Sequence, residues 1–156
     1  MCIRDRIIMF HIILFEPEIP PNAGNIIRLS VNTGCNLHFI EPLGFTLDEK
    51  GFKRAGMDYM KKKNVSIWPN LDNCIQNINS KNFYSISTKG KTRYSDIAFE
   101  KNDAFIFGPE SRGLPSSTRE KYNSLYIPMK SDGRSLNLAN AVSIIVYEAW
   151  RKINFQ

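Results

Sequence analysis

Two loops of glycine, proline and small polar residues follow short apolar segments in the C-terminal half of the chain. The first segment and its loop cover residues 104–115 (AFIFGPESRGLP), and the second segment and its loop fall within residues 124–142. Gly108 and Gly113 permit backbone conformations that other residues avoid and let a ligand approach the main chain. Because ligands bind beyond the carboxyl ends of strands in an open α/β sheet, the two loops predict one small-molecule site built largely from backbone.

Polar side chains stand where the second loop meets an apolar helical pattern. Ser135, Asn137 and Asn140 offer donors and acceptors at this helix start, where backbone amides lack partners within the helix. Either loop alone would also fit an ordinary strand-to-helix turn, whereas the two together, in this order and at this spacing, are more specific. Arg28 is a further candidate, although most arginines on a helix are solvated and its spacing alone favours that alternative.

Short apolar segments alternate with helical patterns along the whole chain. Strands are predicted at residues 10–15, 37–40, 65–68, 83–87, 104–107 and 124–129, and helices at 25–32, at 71–78 and from 138 onward. Three prolines within residues 16–21 predict a loop, and Gly34 predicts the end of the first helix. This alternation predicts an α/β domain with a mainly parallel sheet and helices on both faces. Because true knots are almost absent from proteins, it also favours an unknotted, doubly wound fold.

Composition limits the class of protein. The chain has 156 residues, of which 42% are hydrophobic, so it fits one domain with a real core. A formal net charge of +6 suggests a polyanionic partner, and nucleic acid is the commonest one. Residues 50–63 mix lysines and aromatics, which fits either a solvated face or a surface for RNA phosphates and bases.

Cysteine and histidine positions argue against a metal centre. Cys2, Cys35 and Cys74 are far apart, and the two histidines have no partner at metal-ligand spacing. An odd cysteine count without a framework fits a reducing cytoplasm. His38 alternates with apolar neighbours, so we expect a core or sheet-edge histidine rather than a catalytic base.

Two features concern the ends and the membrane. The chain contains no apolar segment of the roughly 20 residues that a membrane helix needs, so no membrane partner is expected. Residues 1–8 lack the apolar core of a signal peptide and are expected to be a non-native or disordered leader. A single domain is then expected over residues 9–156.

Three motifs together resemble the SPOUT family of RNA methyltransferases. They are residues 22–28 (NAGNIIR), 107–115 (FGPESRGLP) and 134–142 (RSLNLANAV), and the resemblance runs from about Met9 to Trp150. It implies a deep trefoil knot at the C-terminal end and a homodimer. We take the knotted fold as the expectation, although the alternation of elements alone predicts an unknotted one.

Residues 15–22 (FEPEIPPN) and 146–151 (VYEAWR) are similar to one subgroup of this family. The resemblance implies methyl transfer from S-adenosylmethionine to the ribose 2′-hydroxyl of the wobble nucleotide, cytidine or uridine 34, of tRNA. The implied partner is the tRNA anticodon stem-loop, and the implied location is the cytoplasm. No metal is implied.

The resemblance also assigns roles to individual residues. The implied catalytic residues are Arg28, Asn25 and Asn137. The residues implied to bind the cofactor are Ile86, Thr88, Gly108, Glu110, Gly113, Ile127, Met129, Ser135 and Leu136. Arginine is a poor general base because its pKa lies above about 12, so the role of Arg28 stays open between phosphate binding and stabilising a developing alkoxide.

Several alternatives remain at this point. Another SPOUT enzyme could methylate ribosomal RNA ribose or a base nitrogen, and a non-catalytic RNA- or nucleotide-binding module or a flavodoxin-like protein could share the α/β pattern. The chain lacks the GxGxxG loop of a dinucleotide site, which agrees with a knot-type pocket. Residues 131–133 (SDG) replace a stiffer, proline-containing turn of relatives, so Gly133 is expected to loosen the loop and weaken cofactor binding.

Overall fold

The computed structural model describes residues 9–46 and 64–156, which form a seven-stranded sheet. The strands are β1 (His11–Phe15), β2 (Asn36–Ile40), β3 (Val65–Trp68), β4 (Phe83–Ile86), β5 (Thr92–Arg93), β6 (Ala104–Phe107) and β7 (Asn123–Tyr126). Their order is β3-β2-β1-β6-β4-β7-β5, and every paired neighbour is parallel. All strand carboxyl ends therefore lie at one edge of the sheet.

Helices cover both faces of this sheet. They are α1 (Pro20–Thr33), α2 (Leu71–Asn77), α3 (Ser116–Lys121) and α4 (Leu138–Lys152). The larger core cluster lies on one face and joins residues of β1, β2 and β6 to the apolar sides of α1 and α4. On the other face, Cys74 and Leu71 of α2 pack with Ile13, Ile40 and Ile106. The α/β class, the parallel sheet and the two helical layers predicted from the sequence are confirmed.

The first helix begins earlier than the sequence predicted. Residues 16–21 were expected to be a loop, and the helix was expected to begin at Asn25, but α1 begins at Pro20. Proline is suited to the first helical positions because its ring sets φ near the helical value and its missing N–H would have no partner there. The predicted end is confirmed, since Gly34 adopts a left-handed conformation with φ of 76°.

Two short elements, β5 and α3, were not predicted. A two-residue strand and a six-residue helix are too short to show a periodic pattern. The basic and aromatic segment at residues 50–63 lies outside the described residues, and so does the expected leader at residues 1–8. In the described part of the chain, the helices all fall short of the length and apolarity needed to cross a membrane.

Candidate active site

A pocket of about 280 Å³ lies at the carboxyl ends of three adjacent strands. β6, β4 and β7 are neighbours in the sheet, and they end at Phe107, Ile86 and Tyr126. The pocket is lined by the loops that follow these three strands and by the start of α4. Since β4 lies between β6 and β7, its loop joins the two loops whose composition first suggested a ligand site.

The residues predicted to bind a cofactor all line this one pocket. They are Ile86, Thr88, Gly108, Glu110, Gly113, Ile127, Met129, Ser135 and Leu136. The remaining lining residues are Ser87, Phe107, Pro109, Ser111, Arg112, Leu114, Leu138 and Ala141. The structure thus brings together residues from four separate segments of the chain, while their binding of a cofactor stays a prediction.

The lining combines apolar walls with hydroxyl and backbone groups. Ile86, Phe107 and Ile127 supply apolar surface, whereas Thr88 and Ser135 supply hydroxyls. This is the usual composition of a small-molecule site, in which apolar walls hold a ring and a few polar groups fix its orientation. A flat heterocycle that carries a sugar would match both kinds of surface.

Close backbone contacts shape the loop after β6. A Cβ atom on Gly108 would lie 2.3 Å from the backbone nitrogen of Leu114 and 2.5 Å from the carbonyl carbon of Gly113. The two ends of this loop can therefore approach each other only if residue 108 has no side chain. Gly113 has φ of 68°, a left-handed conformation that favours glycine.

A carboxylate from this loop reaches the N-terminus of α1. The N-cap residue of α1 is Ile19, whose side chain cannot accept a hydrogen bond. Glu110 accepts hydrogen bonds from the backbone N–H groups of Glu18, at 2.8 Å, and Ile19, at 3.2 Å. The Asn22 side chain also donates to Glu110, at 3.4 Å. A negative charge at this end of a helix is favoured by the helix dipole, so Glu110 stabilises the start of α1.

A second carboxylate crosses between the same two loops in the opposite direction. Glu18 accepts a hydrogen bond from the backbone N–H of Ser111 at 3.0 Å and from its hydroxyl at 2.7 Å. The hydrogen bond from the Ser111 backbone, and to a smaller extent the one from its hydroxyl, lower the pKa of the Glu18 carboxyl. Glu18 is therefore ionised at neutral pH. Glu18 and Glu110 together form what we call the carboxylate exchange.

An ion pair adds to the carboxylate exchange. Arg112 Nη2 lies 2.7 Å from Glu16 Oε2. The backbone of Glu16 has a positive φ of 48°, which is uncommon for a residue other than glycine. All these contacts form because β1 and β6 are neighbours in the sheet, so the loops that follow them emerge side by side.

Asn137 begins α4 and also contacts the first motif. Its side-chain oxygen accepts a hydrogen bond from the backbone N–H of Asn140 at 3.2 Å, which caps the helix. Its side-chain amide donates to Asn22 Oδ1 at 3.0 Å. Because Asn22 in turn contacts Glu110, the structure joins all three sequence motifs through one set of hydrogen bonds.

Arg28 and Asn25 lie outside the pocket lining. Both are exposed residues of α1, and their spacing of three places them on the same side of the helix. Asn25 and Arg28 are therefore not among the residues that line the pocket, and their catalytic role stays a prediction. Asn137 is connected to Asn22 at the start of α1 but is likewise outside the lining.

Sequence reasoning missed Glu16, Glu18, Ser111 and Arg112 as individual residues of the site. The alternation of acidic residues and prolines in residues 15–22 (FEPEIPPN) was the available signal, because it places two carboxylates in a stiff loop. Their partners could not be identified without knowing that β1 pairs with β6. Over residues 9–46 and 64–156, groups of three or more His, Cys, Asp or Glu side chains that could hold a metal ion are absent.

Comparison with known proteins agrees with this geometry. A protein of Methylovorus glucosotrophus, named tRNA (cytidine(34)-2′-O)-methyltransferase, is 46% identical over 150 residues, which cover 94% of this chain and 97% of that protein. A solved structure that concerns 2-OH methylation of C/U34 on tRNA has a TM-score of 0.88 and 38% identity, and covers 95% of this chain and 98% of that one.

A more distant structure shares the fold. The SpoU methyltransferase AviRb of Streptomyces viridochromogenes, in complex with the cofactor AdoMet, has a TM-score of 0.82 at 24% identity and covers 96% of this chain and 61% of that one. The model of the SpoU rRNA methylase family matches residues 9–147. The resemblance inferred from the three motifs is confirmed, and the chain belongs to the SpoU rRNA methylase family of methyltransferases.

Proposed function

We propose that this protein transfers a methyl group from S-adenosylmethionine to the ribose 2′-hydroxyl of the wobble nucleotide, cytidine or uridine 34, of tRNA. The observation that carries the proposal is the pocket at the ends of β6, β4 and β7, which gathers residues of two family motifs. The name of the Methylovorus glucosotrophus relative, at 46% identity, supports the reaction and the nucleotide.

The pocket suits S-adenosylmethionine in size and in chemistry. A cavity of about 280 Å³ is close to the lower end of the range, from about 300 Å³, found for small-molecule sites. Ile127 and Leu136 can flank the adenine ring, while Thr88 and Ser135 offer hydroxyls to the ribose and the amino-acid part. When bound there, S-adenosylmethionine supplies an activated methyl group.

The protein's contribution to the reaction is chiefly alignment. A well-oriented pair of reactants can gain about 7–11 kcal/mol over free collision. We assign the ribose side of this alignment to the exposed side of α1, where Asn25 and Arg28 lie. Arg28 would bind a backbone phosphate or stabilise the negative charge that develops on the 2′-oxygen as its proton leaves.

The anticodon stem-loop is the proposed partner, and its phosphates should dominate binding. The net charge of +6 includes Lys89, Lys91 and Arg93 in and beside the loop that follows β4. Because phosphate contacts release counterions, the affinity for tRNA should fall steeply as salt rises from 50 to 200 mM. An affinity that stays flat over this range would argue against a phosphate-based interface.

We also propose the knot, the homodimer and the cytoplasmic location that the family resemblance implies. In support of a dimer, Val31 of α1 and Tyr147 of α4 are 50% and 43% exposed, and these helices pack together. The proposal of the knot rests on the family to which the chain belongs. Analytical ultracentrifugation tests the dimer, which should show a molecular mass of twice the 17.9 kDa of one chain.

Two substitutions test the assigned residues. Arg28→Ala should lower kcat about 100-fold or more if the guanidinium stabilises charge in the transition state. Near wild-type turnover would remove Arg28 from the site. Asn137→Ala should lower both turnover and cofactor affinity, because it ends the contact with Asn22 and uncaps α4. If neither quantity changes, Asn137 has no role in the reaction.

The decisive experiment is methyl transfer from labelled S-adenosylmethionine to bulk tRNA, followed by nuclease mapping of the label. Label in a 2′-O-methylated nucleotide 34 is the expected result. Label at another tRNA position, or in ribosomal RNA alone, would keep the methyltransferase assignment and change the substrate. Cofactor binding without any transfer would favour a non-catalytic RNA-binding module.

A further inference from the structure

We infer that Glu18 is a positioning residue for methyl transfer, which holds the cofactor loop and the start of α1 in one fixed arrangement. Glu18 is not among the pocket-lining residues, yet its carboxylate binds Ser111, which is. Its own backbone N–H is bound by Glu110, which also lines the pocket. One residue is therefore tied to the loop after β6 through both its main chain and its side chain.

The two elements that Glu18 joins serve different reactants: the loop after β6 faces the cofactor, and α1 carries the residues assigned to the ribose. The loop at residues 108–113 forms one wall of the cofactor pocket. Glu18 lies two residues before the first residue of α1, the helix that carries Asn25 and Arg28. A shift of this loop relative to α1 would therefore change the distance between the methyl donor and the ribose, while each half could stay internally intact.

The backbone at Glu18 is held independently from a third direction. The backbone N–H of Gly44 donates to the carbonyl of Pro17 at 2.9 Å, and a Cβ on Gly44 would lie 2.8 Å from the Glu18 Cα. Pro17 and Pro20 stiffen the chain on either side. The Glu18 side chain is thus presented from a rigid base, which makes it suited to fixing the position of Ser111.

This inference rests on the proposed function and predicts a specific kinetic pattern. Because Glu18 lies outside the lining, Glu18→Ala should change the Kd for S-adenosylmethionine by less than about threefold. Because a misplacement of about 1 Å can cost about 100-fold in rate, we expect kcat at saturating cofactor and tRNA to fall at least about 10-fold.

The experiment uses the full chain and five variants, of which Glu18→Ala is the first. Glu18→Gln keeps a side-chain oxygen that can accept a hydrogen bond from the Ser111 N–H, so its kcat should fall less than that of Glu18→Ala. Ser111→Ala removes the hydroxyl and keeps the N–H, and the double variant with Glu18→Ala should lose less than the sum of the single losses, since the two residues are in contact. Glu120→Ala, an exposed carboxylate on α3, is the matched control and should behave as wild type.

The readouts are kcat from methyl transfer to tRNA, Kd for S-adenosylmethionine by titration calorimetry, and Tm by circular dichroism. A lower kcat with little change in Kd, at a temperature well below the Tm of each variant, supports the inference. A kcat within twofold of wild type in Glu18→Ala, even with a lower Tm, overturns it and leaves a structural role. A rise in Kd as large as the fall in kcat also overturns it. If the wild-type protein neither binds the cofactor nor methylates tRNA, the proposed function itself fails and the inference with it.

Discussion

Two polar networks in this protein differ in their chemical groups and in their surroundings. One is the carboxylate exchange at the carboxyl ends of β1 and β6. The other, which we call the histidine chain, crosses the sheet between β3 and β1. Trp68 Nε1 donates to His38 Nδ1 at 3.0 Å, and His38 Nε2 lies 3.0 Å from His11 Nδ1. His11 Nε2 in turn lies 2.9 Å from Asn102 Oδ1.

The donors in the histidine chain follow from its first member. Tryptophan can only donate, so His38 must accept at Nδ1 and carry its proton at Nε2, and His11 must then accept at Nδ1 and donate from Nε2. His11 and His38 are 3% and 4% exposed. Burial, and secondarily the neighbouring His11, lowers the pKa of His38 to about 3, and burial also lowers the pKa of His11. Both rings are neutral, and each ring nitrogen has a partner.

The two networks have different roles: the histidine chain stabilises the fold, whereas the carboxylate exchange positions the loops beside the pocket. The histidine chain is closed, because each nitrogen of its two buried imidazoles has a partner in the protein and its residues are not among the pocket lining. The carboxylate exchange is open, because Ser111 and Arg112 are exposed and also line the pocket. We therefore expect changes in the histidine chain to alter folding, changes in the carboxylate exchange to alter turnover, and changes in the pocket wall itself to alter cofactor binding.

The largest effect on cofactor binding is expected at Gly108. In Gly108→Ala the new methyl group would meet the Leu114 backbone, so the loop must shift, at a cost of about 1–3 kcal/mol in stability. Because this loop is a pocket wall, the Kd for S-adenosylmethionine should rise by more than about 10-fold in calorimetry.

Gly113→Ala is the matched control for this substitution. A Cβ at Gly113 would find no atom within 4 Å, so only its left-handed conformation, at about 1–2 kcal/mol, opposes alanine. Equal cofactor affinity in the two variants would show that the close approach at Gly108 does not shape the pocket.

The largest effect on stability is expected in the histidine chain. His38→Leu leaves the half-buried Trp68 N–H and the buried His11 Nδ1 without partners, and a buried group left unsatisfied costs about 1–3 kcal/mol. Urea unfolding should show this loss, while the Kd for S-adenosylmethionine stays near that of wild type. Trp68→Phe removes the N–H donor itself and leaves only His38 Nδ1 without a partner, so its loss of stability should be smaller. A large change in cofactor affinity in His38→Leu would contradict the separation of the two networks.

The pH dependence of stability should follow from the same histidines. The unfolded chain binds protons at the ordinary histidine pKa of 6.5, whereas the folded chain keeps His38 neutral down to about pH 3. The unfolded state therefore gains protons first, and stability falls as the pH drops from 6.5 towards 3. From pH 6.5 to 5.5 the loss should be about 1 kcal/mol from His38 alone, measured by urea midpoints. His38→Leu should flatten this slope, and an unchanged slope would assign it to other groups.

The smallest effect is expected at an exposed ion pair that belongs to neither network. Arg93 Nη2 and Asp96 Oδ1 are 3.0 Å apart, and their side chains are 51% and 52% exposed. Solvent screens such a pair, so Asp96→Ala should change stability by less than about 1 kcal/mol in urea unfolding. A larger loss would mean that hydrogen-bond distance, rather than burial, decides which polar contacts matter in this protein.

Local patterns in the sequence were enough to predict most of the elements. Continuous apolar segments such as residues 104–107 indicate strands covered on both faces, and Gly34 marks a helix end by its conformational freedom. The short β5 and α3 have no such pattern, and the start of α1 was missed because prolines suggest a loop as readily as a first helical turn.

The sequence by itself determined the class of fold, the loops with the composition of a ligand site, and the family, because these depend on residue type and on spacing along the chain. Only the tertiary structure decided which of these residues meet. The pairing of β1 with β6 places Glu18 beside Ser111, residues 93 positions apart, and the seating of β4 between β6 and β7 joins three loops into one pocket. The physical reason is that strand order is set by packing of the whole sheet, so the partner of a buried or charged side chain is not encoded in its neighbours along the chain.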